Sequence, residues 1–155
     1  MVNKQLVVQL LAEQKYDALI KIAAKDHKKV LRYIRLNLYH GYHNPLRWYA
    51  IEALGRLAKE FGSQKPEVYK NFLERLVLSM DQESGNVPWG SPEAMASIIS
   101  SQPHLFGNFT SLLITNSLAN PMCHQGLIWA ISRIARVAPY LICSLPVEIK
   151  NHLHL

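Results

Sequence analysis

The chain has 155 residues, 49% of them apolar and 18% charged, with seven Gly and eight Pro. Those fractions exclude a disordered or collagen-like chain, and the length suits one domain over 1–155, long enough to bury roughly two thirds of its unfolded surface. Lys and Arg total 17 against 11 acids, a formal charge of +6. Residues 1–75 carry +7 and residues 76–155 carry −1, so the basic excess is a property of the N-terminal half.

The opening stretch from Met1 to Glu13 lacks the unbroken apolar segment and small-residue cleavage site of a secretory signal. No run of about 18 apolar residues follows, so a membrane span is not expected and a cytoplasmic protein is. Sustained two-residue alternation is absent, and apolar residues recur at spacings of three and four. The periodicity predicts an all-α chain, with helices near 3–13, 15–25, 27–39, 45–61, 66–80, 92–101, 104–118, 121–137 and 146–153, and a turn near 139–144.

Residues 15–35 hold seven bases against Asp17 and Asp26. Among them Lys21, Lys25, Lys28, Lys29, Arg32 and Arg35 form a candidate anion-binding face, although a solvated helix face gives the same pattern. Asn44-Pro45, Ser91-Pro92 and Asn120-Pro121 each pair a capping side chain with Pro at the first helical position, where the missing N–H does no harm. In the helix over 45–61 the apolar residues cover a wide arc, as in a helix packed on both sides, and Arg47 projects into that arc. A cation placed there must find a partner or reach out to solvent along its stem.

Residues 51–58 realign with 128–135, 77 positions later, about two units of a helical-hairpin repeat of roughly 40 residues. The stretch Leu46-Arg47-x-x-Ala50-x-x-Ala53-Leu54-Gly55 resembles the second helix of a HEAT repeat. The later copy departs from it, with His124, Leu127 and Ser132 at the positions of Arg47, Ala50 and Gly55. The resemblance implies an α-solenoid of roughly four stacked antiparallel helix pairs acting as a binding scaffold. It also implies that Arg47 pairs with an Asp of a neighbouring repeat. A narrower resemblance, to small prokaryotic HEAT-like proteins of uncharacterised function, rests on the D-x-E-S-G and W-G-x-P-E-A segments within 81–95.

The connection over 81–91 exceeds the two to eight residues usual between helices. On an extended path Asp81 and Glu83 point the same way, giving with Glu93 an acidic place for a cation or a basic peptide. A structural reading is equally available: Ser84-Gly85 turns, Ser91 caps, Glu93 complements the helix dipole and Trp89 plugs the core. An EF-hand fails because Asn86 stands where Gly is required and Pro92 where the closing Glu belongs. Zinc-ligand spacings and nucleophile elbows are missing, so neither metal nor cofactor is expected. Cys123 and Cys143 read as buried, reduced thiols.

A non-catalytic module binding a protein partner is therefore expected, with Arg47, Trp48, Asp81, Glu83, Trp89, Glu93, His124 and Arg133 as candidate site residues. The alternative is a basic HEAT-like nucleic-acid-binding protein, with glycosylase-like chemistry built on Trp48, Trp89, Trp129, Arg47, Asp81 and Arg133. A lyase or chaperone for a prosthetic group is a third possibility that no residue selects.

Overall fold

Helices occupy most of the chain in the computed structural model, and no strand occurs among the described residues. Those residues are 1–85 and 87–153, with the side chains of Ser84, His152 and Leu153 excepted. The expectations concerning the side chain of Ser84, Asn86 and the C-terminal His154 lie outside the described residues. In chain order the helices are α1 (Lys4–Ala12), α2 (Tyr16–Lys25), α3 (His27–Leu36), α4 (Pro45–Phe61), α5 (Pro66–Ser79), α6 (Ser91–Ser101), α7 (Pro103–Phe106), α8 (Thr110–Leu118), α9 (His124–Val137), α10 (Pro139–Cys143) and α11 (Val147–Leu153). None is long and apolar enough to cross a membrane, among the described residues.

Two of the three Asn/Ser-Pro starts act as the sequence predicts. Asn44 accepts from the Leu46 amide at 3.0 Å and Asn120 from the Met122 amide at 3.1 Å, each with Pro next. Ser91 differs. Gly90, in the left-handed region at φ 78°, precedes α6 without a side-chain cap, and the Ser91 hydroxyl bonds Ser79 Oγ at 2.7 Å. Burial explains the change, because a hydroxyl 2% exposed must find a partner inside.

Several predicted helices divide or shorten. The segment over 27–39 ends as a 3-10 turn from Asn37, and that over 121–137 begins as one through Cys123. The stretch over 104–118 breaks at Gly107, where a Cβ would press on Leu141. Residues 139–143, expected as a turn, form α10 with Pro139 at its start.

α6 is the centre of the molecule: Ser91 to Ser100 are all buried, between α4 on one side and α9 on the other. The contacts advance together. Arg47 meets Glu93, Ile51 meets Ser97 and Lys59 meets Gln102, while Trp48 meets Trp129 and Glu52 meets Arg133. The three helices therefore run side by side in the same sense. Small residues permit this closeness. A Cβ on Gly55 would collide with the Ser97 hydroxyl, which donates to the Ile51 carbonyl at 2.7 Å. The remaining helices cover the outside, α1, α2 and α3 against α4, α5 against α6, and α8 and α10 against α9. One continuous apolar cluster joins them, from Val7 to Leu145.

Candidate functional site

At the starts of α4, α6 and α9 a cavity of about 350 Å³ opens. Its floor is an ion pair. Arg47 Nη2 donates to Glu93 Oε2 at 3.1 Å, with the two side chains 9% and 1% exposed. The acidic partner expected for Arg47 is thus a Glu of the next inner helix, 46 residues on. Only one edge of each group is satisfied: Arg47 Nε and Glu93 Oε1 are buried without a hydrogen-bond partner. Burial raises the Glu93 carboxyl above its ordinary value, against the opposing pull of its own backbone amide and of Arg47. Glu93 stands in the first turn of α6, where the helix dipole favours an anion, and is buried there together with Arg47.

Two glycines make room for this pair. A Cβ on Gly126 of α9 would run into the Glu93 carboxylate. Gly90 brings its backbone against the Leu38 carbonyl and the Arg47 Nε edge, at a φ that side chains rarely adopt. Cys123, from the turn before α9, adds a thiol 1% exposed. Burial, with a smaller contribution from the Glu93 charge, pushes that thiol up to about 11, so it is not a nucleophile at neutral pH.

The rim is aromatic. Tyr42 lies under the Arg47 guanidinium at 5.6 Å, and its carbonyl accepts from Trp48 Nε1 at 3.0 Å. Trp89, a candidate site residue whose alternative reading is a core plug, stands 44% exposed at the edge, with Tyr42 and Met122 exposed beside it. The left-handed Gly90 turns the chain after Trp89 and carries the indole outward.

Asp81 and Glu83 do not line this cavity. The Asp81 carboxylate accepts from the Glu83 amide at 3.0 Å, and Gln82–Ser84 coil into a 3-10 turn, so the extended path that would have aligned the two carboxylates is not taken. His124 is exposed on the outside, its Nε2 bonded to the Leu118 carbonyl at 3.0 Å. Arg133 sits farther along, over Trp129 at 5.7 Å and 3.8 Å from Glu52. There Glu52, Arg56 and Arg133 border a second groove of about 570 Å³ whose floor includes Ser97 and Ser100. Trp48 and Trp129, 5.4 Å apart, meet across α6 between α4 and α9.

Tyr42, Gly90, Cys123 and Gly126 escape sequence reasoning. Tyr42 lies two residues before the Asn44 cap, a position that carries no signal for an aromatic in a site. Gly126 fills an ordinary helical position whose only clue is the missing side chain. Cys143, expected buried, is exposed at the end of the short α10. Among the described residues no three His, Cys, Asp or Glu side chains gather in a metal-ligating group.

Of the six candidate anion-binding residues, Lys28, Lys29, Arg32 and Arg35 line a third cavity, between α3 and α5, of about 510 Å³. Lys21 and Lys25 are exposed on α2 and stand outside it. No protein-family model matches the chain, and neither the curated proteins nor the solved structures provide a match.

Proposed function

We propose that this chain is a non-catalytic, HEAT-like binding module that takes a segment of a protein partner into the cavity at the starts of α4, α6 and α9. The observation that carries the reading is the cavity itself, with the buried Arg47–Glu93 pair as its floor and the exposed Trp89, Tyr42 and Met122 at its rim. Arg47 Nε and Glu93 Oε1 lie covered beneath that floor, so a guest's polar group would meet the field of the pair rather than bond those two atoms directly. Trp89 and Tyr42, both about two-fifths exposed, supply the apolar contact that flanks such a guest.

Selection of binding peptides from a displayed random library, using the whole protein as bait, tests this. Selected peptides are expected to lose roughly 30-fold in affinity toward Trp89→Ala, the scale of an interface hot spot. They should also weaken toward Glu93→Gln, with both variants checked for unchanged helical circular dichroism. Peptides that bind both folded variants as well as the parent protein would remove the cavity from consideration.

A further inference from the structure

The groove between α3 and α5 lies apart from the cavity just described. Five cations line it: Lys28, Lys29, Arg32 and Arg35 from α3, and Arg75 from α5, with Asp26 the single acid. Among the described residues none of the five is in an ion pair, although ion pairs form elsewhere on the surface. At the start of α3, Lys28 and Lys29 stand in the first turn, where the helix dipole disfavours positive charge, with Asp26 at the N-cap the one acid beside them. Lys28 and Arg32, four residues apart on one face, repel each other as well. Arg32 lies over the Tyr33 ring at 5.2 Å and Arg35 donates to the Tyr39 hydroxyl at 3.3 Å, so neither charge is neutralised.

The groove itself indicates what that is. Leu31 and Phe72 of its floor are only 3% and 8% exposed, and Val68 beside them is half-buried, so the apolar strip is narrow and the five cations flank it. Charge is the dominant feature of the groove. Three of the five cations are Arg, whose planar fork matches phosphate oxygens. No ring faces the groove openly enough to stack a base. The flexible backbone of a single strand can follow an open groove lined by cations from two helices. We infer that the α3–α5 groove binds the phosphate backbone of a single nucleic-acid strand, without reading its sequence.

Fluorescence anisotropy of a labelled oligothymidylate against the full chain tests this across a salt series. Five phosphate contacts predict a slope of log affinity on log salt of about −3.5, or roughly 100-fold weaker binding between about 50 and 200 mM salt. The Arg32→Ala/Arg35→Ala variant should bind more weakly, with the slope reduced to about −2. The charge-matched Lys4→Ala/Lys15→Ala variant, altered outside the groove, should keep the parent slope. All four positions are at the surface or half-buried, so folding should survive, and circular dichroism verifies it. A flat salt dependence, an Arg32→Ala/Arg35→Ala variant indistinguishable from the parent, or displacement of the oligonucleotide by polyglutamate at equal charge would each overturn the inference. The last would identify an acidic protein segment as the occupant instead.

Discussion

Arg47 and Glu93 form the kind of pair whose removal is informative. Taking two charges out of water costs several kcal/mol per ion, and the upward shift of the Glu93 carboxyl means that its burial outweighs the attraction of Arg47. The pair therefore contributes little net stability, yet either partner alone is a stranded buried charge. Arg47→Met and Glu93→Leu should each lose about 3–5 kcal/mol in urea denaturation, while the double variant should lose less than either. Equal losses that simply add would contradict this account. His27 supplies a pH-dependent counterpart. Its Nδ1–H donates to the Ala23 carbonyl at 3.3 Å, and Tyr69 donates to its Nε2 at 2.9 Å, so the ring is held neutral between two partners. Burial lowers its pKa from 6.5; the Ala23 carbonyl opposes that shift and Lys65 reinforces it. The unfolded chain thus binds a proton before the folded one does. The contribution is complete above about pH 6.5 and is lost as the pH falls through the folded-state value. His27→Gln should flatten that part of the stability profile, and a parallel decline in both proteins would assign the effect to other groups.

At the scale of elements, α6 shows how small residues decide packing. Helix propensity alone favours Ala over Gly by about 1 kcal/mol, so Gly126→Ala in α9 would stabilise an isolated helix. Here the new methyl meets the Glu93 carboxylate, which must shift and disturb its ion pair with Arg47. Overpacking costs about 1–3 kcal/mol, so the net change in thermal unfolding should be a loss. Gly41→Ala, at a turn with nothing within 4 Å of the added atom, is the control expected to change little. The same closeness explains what the repeat pattern concealed. The copies at 51–58 and 128–135 align at a shift of 77, but the contacting residues Trp48 and Trp129, or Glu52 and Arg133, stand 81 apart. Equivalent positions are therefore not the ones that touch. They are displaced by about one helical turn, because α6, not α9, packs directly against α4.

Across the whole molecule the charge asymmetry becomes spatial. The basic residues of α3 gather with Arg75 at one groove, and the Arg47–Glu93 cavity is a separate one, at the starts of α4, α6 and α9. Periodicity and the Asn-Pro starts determined by themselves that the chain is helical and where most helices begin, because spacing of apolar residues and capping are local properties. The need of Arg47 for a partner or a path to solvent was equally local, since a cation within an apolar arc demands one or the other. What only the tertiary structure decided is which residue answers it. Glu93 and Trp89 read in sequence as candidate site residues with an equally available structural role, and nothing near Arg75 in sequence points to α3. Their roles depend on neighbours 40 or more residues away, on the left-handed turn at Gly90, and on the absent side chain of Gly126. Long-range packing assigns those meanings, because burial and pairing are properties of the space around a side chain and not of the residues that flank it.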